Sequence, residues 1–543
     1  MTLREFFFVL MGTLLPAALV AAEAAQPTLI VAISVDQFSG DLYNEYRAHF
    51  HGGLKRLSDG VVFARGYQSH AATETCPGHA TILTGVRPAR SGIIANQWID
   101  QSIARDDKLV YCVEDEQAAG SSSRQYQVSL KHLRVPTLGT LLKAETPASR
   151  VVSVAGKDRA AVLLAGTEAD QVWWWGGAGF VSFDGVTAPS SVQRSNAEIR
   201  QQLAGAQAPL PLPAWCKARD YPVALGAGQV VGTGRFARGA DDAKAFRASP
   251  ALDNATLTVA GALVDELALG RGPHTDLLAI GLSATDLIGH GYGTEGAEMC
   301  LQIEALDKTL DTLFAKLDAR GIDYLVMLTA DHGGHDAPER SDQNAIPDAA
   351  RVDEALMPAA LSATLAKNLQ LPTPLLLGDS ANGDVYLART LNSAQRTAVS
   401  DAALGIWRKH AQVAAVFTRD EILRSAAPVG PPDHWTLLEE VRASYDAERS
   451  GDFIVLLKPR ITPIPRSAAG YIATHGSPWD YDRRVPIVFW RKNLAGFEQP
   501  NSVETVDIMP TLAAQIGLTV PAAEIDGRCL DLDPGDGDSC KAR

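Results

Sequence analysis

The sequence predicts an α/β fold with a mixed, largely parallel sheet between helices. Three observations support this prediction. Several short apolar runs have the continuous hydrophobic pattern of strands that are buried on both faces. Each run is followed by a polar loop and then by a helical pattern, the order of elements that builds a parallel sheet. Polar residues able to carry chemistry stand after these runs, where open α/β sheets bind their ligands.

The predicted strands lead one after another into candidate functional residues. In chain order, the strands and the polar residues after them are Leu29–Val35 with Asp36, Arg150–Val154 with Ala155–Arg159, Asp276–Ile280 with Asp286, and Tyr324–Leu328 with Asp331 and His332. A further strand is predicted at Val485–Trp490 and a late helix at Val506–Ile516. We therefore expect the polar residues to meet at one edge of the sheet.

The composition is that of a soluble globular protein. Hydrophobic residues make up 46% of the 543 residues and charged residues 21%, which excludes disorder, collagen and coiled coil as the main description. The 63 acidic residues outnumber the 49 basic ones, and the formal net charge is −14. No nucleic-acid duplex is therefore expected as a partner. An anionic substrate must be captured by local cations, because the overall field repels it.

The N-terminus has the pattern of a secretory signal peptide, predicted over residues 1–24. Arg4 supplies a positive start, Phe6–Val20 is apolar, and Ala22–Ala24 has the form of a cleavage site. The alternative is a membrane anchor, but the apolar stretch is shorter than the roughly 20 residues that a spanning helix needs. We expect the mature protein to be periplasmic or secreted, with no membrane span.

The remaining residues, 25–543, are long enough for one large catalytic domain with insertions. Residues about 175–270 are rich in Gly, Ala, Gln and Pro, and residues about 340–465 mix helical patterns with strand-like runs. We expect both stretches to be insertions that cap the active edge of the sheet.

The cysteines fit an oxidising compartment. Their number is even, and six cysteines allow fifteen pairings. Cys529 with Cys540 closes a short C-terminal loop and is the first expected pair, followed by Cys76 with Cys112. No Cys-x-x-Cys pair occurs in the sequence, so a thiolate zinc site or a thioredoxin-type centre has little support.

A set of Asp and His residues suggests a metal centre. Asp286 and His290 are four residues apart, so a helix would place them on one face. Taken singly, each candidate is more often a turn, cap or surface residue. Together, three carboxylates and three imidazoles suit zinc, which accepts both ligand types. The candidate ligands are Asp36, Asp286, His290, Asp331, His332 and His475.

Thr75 is the candidate nucleophile. Pro77 can open a helix and Gly85 can close it, which would place Thr75 just before the helix N-terminus. Free backbone N–H groups and the helix dipole favour an anion there. The alternative is that Thr75 simply caps the helix.

These motifs resemble the alkaline phosphatase superfamily. Thr73–Gly85 with the following Gly92–Trp98 is similar to the nucleophile region of the bacterial PafA-type alkaline phosphatases, which are related to the nucleotide pyrophosphatase/phosphodiesterases. The metal motifs occur in the matching order, at Asp286–Gly293, Leu328–Gly334 and Thr474–Ser477. The resemblance runs through nearly the whole mature chain and implies an alkaline-phosphatase-like fold.

The resemblance also implies two Zn²⁺ ions per chain. Asp286, His290 and His475 would hold one ion, and Asp36, Asp331, His332 and the Thr75 oxygen the other. Two such ions can stabilise the attacking and leaving oxygens of an in-line displacement. Attack by Thr75 would give a phosphothreonine that water then hydrolyses, with net retention at phosphorus.

Three further residues favour a monoester substrate. Asn96 can donate its amide to a phosphoryl oxygen, and Lys157 and Arg159 would point the same way if their segment stays extended. The last two match the phosphate-binding Lys and Arg of the PafA-type monoesterases. Read alone, they could equally be solvated cations of a surface loop. We therefore expect an exported, zinc-dependent alkaline phosphatase of broad specificity that acts as a monomer on small phosphate esters, with possible phosphodiesterase side activity.

Other functions remain as alternatives. A phosphodiesterase or nucleotide pyrophosphatase could use the same two-zinc core. A sulfatase would need a Cys or Ser followed by x-Pro-x-Arg, whereas Pro77 directly follows Cys76. An exported zinc- or phosphate-binding protein with an inactive site is the non-enzymatic alternative.

Overall fold

The computed structural model describes residues 26–226, 228–346 and 348–541. The predicted signal peptide lies outside the described residues. Within the described ranges, no helix combines the length and the apolar character needed to cross a bilayer.

The strands follow the apolar runs closely. In chain order they are β1 (Leu29–Val35), β2 (Val61–Tyr67), β3 (Gln97–Ile99), β4 (Leu109–Tyr111), β5 (Val151–Ala155), β6 (Gln171–Trp175), β7 (Phe180–Val181), β8 (Val223–Ala224), β9 (Val230–Val231), β10 (Asp276–Leu282), β11 (Tyr324–Thr329), β12 (Ala350–Arg351), β13 (Leu376–Leu377), β14 (Gly383–Leu387), β15 (Val413–Thr418), β16 (Phe453–Leu457), β17 (Ile461–Thr462), β18 (Arg484–Arg491), β19 (Phe497–Gln499) and β20 (Val503–Glu504).

The helices are α1 (Gly40–Tyr46), α2 (Gly53–Ser58), α3 (Thr75–Thr84), α4 (Pro88–Ser91), α5 (Leu138–Glu145), α6 (Asp158–Ala165), α7 (Ser190–Ala204), α8 (Ala243–Arg247), α9 (Pro250–Glu266), α10 (Ala284–Tyr292), α11 (Ala297–Ala319), α12 (Pro338–Gln343), α13 (Pro358–Leu369), α14 (Ser393–Trp407), α15 (Arg419–Arg424), α16 (Leu437–Ser444), α17 (Asp480–Arg483) and α18 (Ile508–Gln515). Short 3-10 helices cover Arg47–His49, Ala214–Arg219, Glu354–Leu356, Pro432–His434 and Thr505–Asp507. The predicted late helix is thus a 3-10 turn followed by α18.

The central sheet is mixed and largely parallel, as predicted. Its order is β19-β2-β18-β11-β1-β10-β5-β6-β7, with β20 beside β2. Strand β1 is parallel to β10 and β11, and β5 is parallel to β10 and β6. Strand β18 runs antiparallel to both of its neighbours. Ser34 pairs with Gly281 on one side and Thr329 on the other, so three strands end at one edge.

Helices cover both faces of this sheet because successive residues of a strand point to opposite faces. On one face, Val31 and Ile33 of β1 share an apolar cluster with Leu263 of α9 and Phe314 of α11. On the other face, Ile30 packs in a cluster that includes α18. Both faces are therefore dry, which accounts for the continuous apolar pattern of the strands.

A second sheet of four strands lies outside the central one, in the order β13-β14-β16-β15. It has its own apolar cluster, in which Trp407 and Phe453 are buried and their rings lie 5.3 Å apart. One of its loops reaches the strand-end edge of the central sheet, where Asn382 Nδ2 donates to the carbonyl of Gly476 at 2.9 Å.

Three disulfides occur within the described residues. Cys529 pairs with Cys540 and Cys76 with Cys112, which confirms both expected pairs. The third pair joins Cys216 to Cys300 across 84 residues. The first two close local loops, whereas the third ties a 3-10 helix to α11.

Candidate active site

The predicted metal ligands come from loops that follow adjacent strands. Asp36 directly follows β1, and Asp331 and His332 follow β11. Asp286 lies in the first turn of α10, after β10, with His290 one turn later. Because β11, β1 and β10 are neighbours, their carboxyl ends bring these side chains together.

The donor atoms form two compact groups that share one carboxylate. Asp286, His290 and His475 form the first group, and Asp36, Asp286 and His332 the second, each with its donor atoms within 4.8 Å of one another. Asp286 Oδ1 lies 3.2 Å from His290 Nε2 and 3.3 Å from His475 Nε2. Asp331 is outside these groups, but its Oδ2 lies 3.4 Å from His332 Nε2.

The three imidazoles are oriented by backbone carbonyls. Nδ1 of His290, His332 and His475 lies 2.8–2.9 Å from the carbonyl oxygens of Ala473, Gly333 and Thr73, respectively. A carbonyl can only accept, so each Nδ1 donates and each Nε2 lone pair faces the carboxylates. This is how proteins orient histidines that bind metals. Burial lowers the pKa of His332 to about 3, which favours the neutral, ligating form.

The chemistry of this donor set fits a divalent cation. Lone pairs of Nε2 face carboxylate oxygens at 3.2–3.5 Å, an arrangement that repels unless a positive charge lies nearby. Asp36 Oδ1 and Asp286 Oδ1 are buried and accept no hydrogen bond from any described residue. The mixture of imidazole nitrogen and carboxylate oxygen is a zinc-type set.

The Lys157 ammonium already lies between two of these carboxylates. Its Nζ is 2.6 Å from Asp36 Oδ2 and 2.5 Å from Asp286 Oδ2, and the side chain is almost fully buried. Lys157 is therefore not a solvated residue of a surface loop. A buried cation held by two carboxylates shows that this position selects positive charge.

Thr75 is the first residue of α3 and is fully buried; the helix therefore begins two residues before Pro77, and Thr75 lies inside it, not just before it as predicted. Glu74 occupies the N-cap, and its side chain makes no capping hydrogen bond. The Thr75 hydroxyl lies 3.5 Å from His332 Nε2 and 3.3 Å from Arg159 Nη2. The hydroxyl thus faces the donor groups instead of capping the helix.

Close packing fixes the first turn of α3 beside the candidate metal ligands. His79 Nδ1 donates to the carbonyl of Thr75 at 2.8 Å. A side chain at Gly78 would place its Cβ 2.0 Å from the carbonyl oxygen of Asp331, so backbone packs on backbone here. On the other side, the disulfide from Cys76 holds the helix to β4. The position of the Thr75 hydroxyl therefore depends on close packing on both sides.

Arg159 and Lys157 meet near Thr75, but not for the predicted reason. Lys157 itself is extended, with φ −131° and ψ 143°, but the segment does not stay extended, because α6 begins at the next residue, Asp158. The Asp158 carboxylate accepts from Tyr111 Oη at 2.8 Å and from Tyr126 Oη at 2.7 Å. These contacts turn Asp158 away from the site, and the helical turn then brings Arg159 back toward it.

Asn96 lies beside Cys76, the neighbour of Thr75, with its side-chain amide group available. The Asn96 Oδ1 accepts from the backbone N–H of Cys76 at 2.8 Å, and the Asn96 backbone N–H donates to Glu74 Oε2 at 2.6 Å. Its Nδ2 has no partner among the described residues. The amide can therefore donate to an oxygen bound near Thr75.

Sequence reasoning missed the residues that support Arg159. Tyr111 Oη accepts from Arg159 Nη1 at 3.2 Å while donating to Asp158. Tyr111 is the last residue of β4 and Tyr126 lies in the loop that follows, and no spacing links either of them to α6. Trp173, Trp174 and Trp175 of β6 are all buried, and the last two also line the cleft beside Arg159. The three consecutive tryptophans therefore pack in the core, and two of them also form part of the cleft wall.

Known proteins resemble the chain over almost its whole length. The family model described as Type I phosphodiesterase / nucleotide pyrophosphatase matches residues 30–478. Alkaline phosphatase PhoK of a Sphingomonas species is 56% identical over 521 residues, covering 95% of this chain and 93% of that one. Alkaline phosphatase PhoD of Zymomonas mobilis is 47% identical over 519 residues, covering 95% and 90%. The crystal structure of alkaline phosphatase PafA matches with a TM-score of 0.80 at 25% identity, covering 94% and 99%.

Proposed function

The chain belongs to the type I phosphodiesterase/nucleotide pyrophosphatase family, as an alkaline phosphatase of the PafA type, and we propose that it hydrolyses phosphate monoesters through a phosphothreonine at Thr75 with two Zn²⁺ ions. The observation that carries this proposal is the meeting of Thr75, Arg159 and Lys157 at the Asp–His cluster. Names of the relatives support the monoesterase activity.

The two ions would be held by Asp286, His290 and His475 and by Asp36, Asp331, His332 and Thr75. Ions in these positions supply Lewis-acid stabilisation of the attacking and leaving oxygens. The orphaned carboxylate oxygens and the orientation of the imidazoles support this assignment.

In the proposed cycle, the Thr75 oxygen attacks phosphorus in line with the ester oxygen. The Thr75 hydroxyl gives up its proton to solvent, the new O–P bond forms as the ester P–O bond breaks, and the departing alkoxide takes a proton from water. Water then attacks the phosphothreonine, releases inorganic phosphate and restores the hydroxyl. Two displacements at one phosphorus give net retention of configuration.

Lys157, Arg159 and Asn96 are proposed to bind the non-bridging phosphoryl oxygens. A transferred monoester group carries one more charged oxygen than a diester, so it gains more from two cations and an amide donor. Tyr111, whose hydroxyl donates to Asp158, accepts from the Arg159 guanidinium and keeps it beside the Thr75 hydroxyl. This charge arrangement supports a monoesterase over a phosphodiesterase, the alternative that the family model leaves open.

We further propose that the enzyme is exported. Three disulfides within the described residues support an oxidising compartment. Broad specificity and a monomeric state belong to the same proposal.

The test compares kcat/KM for an aryl phosphate monoester and the matching diester, with zinc-loaded wild type and the Lys157→Ala/Arg159→Ala variant. We expect a strong monoester preference that falls by about 10²–10⁴-fold in the variant, since two charge-assisted contacts are lost. The control is Lys367→Ala/Arg389→Ala, which removes two exposed cations elsewhere. A diester preference that ignores the substitution would instead support a phosphodiesterase.

The covalent step has its own test. Wild type is mixed with substrate, quenched in acid and digested, and mass spectrometry is used to locate phosphate on the peptides. We expect it on Thr75 and expect Thr75→Ala to lose both the label and turnover. Full turnover by Thr75→Ala would refute the nucleophile assignment.

A further inference from the structure

A wide cleft opens beside Arg159 and carries more positive charge than the proposed chemistry uses. Its volume is about 690 Å³. Among the described residues that line the cleft, Asp158 is the one with an acidic side chain, and it already accepts hydrogen bonds from two tyrosine hydroxyls. The cationic side chains that line it are Arg124, Lys157, Arg159, Lys244 and Arg247.

Arg247 is the unexplained member of this set. It is the last residue of α8 and is partly buried, with its Nε fully shielded from solvent. The guanidinium makes no hydrogen bond and no ion pair with any described residue. Burial, together with the nearby Arg159 charge, lowers its pKa. A shielded cation beside another cation is unfavourable unless an anion accompanies it.

The packing of α8 fixes this cation at the cleft wall. Phe246 is buried, and its ring stacks on Trp175 with centroids 5.4 Å apart and planes 14° apart. Trp175 lines the same cleft. Arg247 is therefore carried on an anchored element and is not a mobile surface side chain.

We propose that Arg247 binds a second phosphate, one carried on the leaving group, so that the enzyme prefers bisphosphate esters to monophosphate esters of the same alcohol. A guanidinium binds phosphate oxygens through paired hydrogen bonds. Three cations beyond Lys157 and Arg159 suit a dianion better than a single carboxylate. This inference rests on the proposed function, because it names the substrate class for the same site.

The experiment uses the bisphosphates of straight-chain diols with two to six carbons, each compared with the monophosphate of the same diol. Initial phosphate release gives kcat/KM for zinc-loaded wild type. Two equivalent ends give a statistical preference of two. We expect a preference of about tenfold or more at the chain length that spans the two sites.

Arg247→Met removes the charge and keeps most of the side-chain packing. We expect this variant to lower the bisphosphate preference by about tenfold, mainly through KM, and Arg247→Lys to restore part of it. The matched control is Arg389→Met, which removes an exposed arginine outside the cleft. Circular dichroism establishes that each variant is folded, and Arg247→Gln replaces the Met variant if that one is not.

A binding measurement separates this inference from the proposed function. Calorimetry in the Thr75→Ala background compares the Kd of the best bisphosphate and its monophosphate, with and without Arg247→Met. A preference near two at every length, or one that survives in the Met variant, overturns the role of Arg247 while leaving the monoesterase standing. Absence of phosphate release from both esters overturns the proposed function, and calorimetry then still decides on Arg247.

Discussion

Two recesses are lined by residues of the candidate site, and the charges of the two recesses are opposite. The cleft beside Arg159 is lined by cations, whereas a smaller cavity of about 90 Å³ beside His475 is lined by Glu74, Asp379 and Asp384. Burial, with the charge of Asp379, raises the pKa of Asp384 to about 7. The acidic recess thus limits its negative charge by holding protons. The comparison shows that the sign of the charges lining each recess, and not the net charge of −14, decides from which side an anion approaches.

Removing the carboxylate that joins the two recesses should have the largest effect. Asp286 contacts Lys157 of the cleft and His475 of the cavity. We expect Asp286→Asn to lose zinc and to lower kcat on the order of 10³-fold or more, because both donor groups use this residue. Elemental analysis and monoester turnover measure the effect. The matched control, Asp384→Asn, should keep both its zinc content and its turnover. An Asp286→Asn enzyme with full zinc content would contradict the proposal that Asp286 is a ligand shared by the two ions.

Reversing one charge in the cleft should have the next largest effect. Arg159→Glu replaces the guanidinium that lies 3.3 Å from the Thr75 hydroxyl by a carboxylate, which repels a phosphate. We expect kcat/KM for an aryl monoester to fall by about 100-fold, and that for the diester to fall less. Arg389→Glu makes the same reversal on the exposed surface and should leave both values within about twofold. Equal losses for the two esters would remove Arg159 from monoester selection.

The third prediction concerns the acidic recess, whose substitution should change the thermal stability of the protein and not its turnover. Because the pKa of Asp384 is raised to about 7 in the fold, the unfolded chain ionises first as pH rises from about 4 to 7. Unfolding then becomes easier over that range. Asp384→Asn keeps an acceptor for the Gly451 N–H and cannot ionise. We expect its Tm advantage over wild type to grow by about 1–3 °C between pH 5 and pH 8 in scanning calorimetry.

The exposed Asp401→Asn serves as the control for this pH series and should track wild type at every pH. A constant difference between Asp384→Asn and wild type would mean that Asp384 is ionised in the fold over the whole range.

The smallest effect belongs to the rim of the cleft. Arg124 is exposed and lines the cleft. We expect Arg124→Ala to lower kcat/KM for a dianionic ester by less than about threefold at low salt, and the difference to vanish at about 1 M salt because exposed charges are screened. A difference that persists at high salt would mean direct contact with the substrate.

Most strands of the central sheet can be predicted from the sequence. Continuous apolar runs mark strands buried on both faces, so the predicted strands Leu29–Val35 and Tyr324–Leu328 match β1 and β11 to within one residue. Periodicity contains no direction, and the antiparallel orientation of β18 therefore could not be predicted. The Cys216–Cys300 pair has no local signal of its own, because it joins elements 84 residues apart, and it follows only once the other two pairs are assigned.

The candidate site divides in the same way. Asp286 and His290 share a helix, so their spacing alone predicts that they face one another. Arg247 has no such signal, because its short helix is distant in sequence from α6 and only the fold places it beside Arg159. Sequence spacing finds contacts within one element, and contacts between elements require the tertiary structure.

Gly78 takes no part in the proposed chemistry, yet it controls how this enzyme can evolve. A methyl group at that position would collide with the Asp331 carbonyl, and no side chain can bend out of the way of backbone. A saturation library selected for activity should therefore return only glycine at position 78, as invariant as Thr75. Mutational intolerance will mark this residue as though it were catalytic, although its contribution is the absence of a side chain.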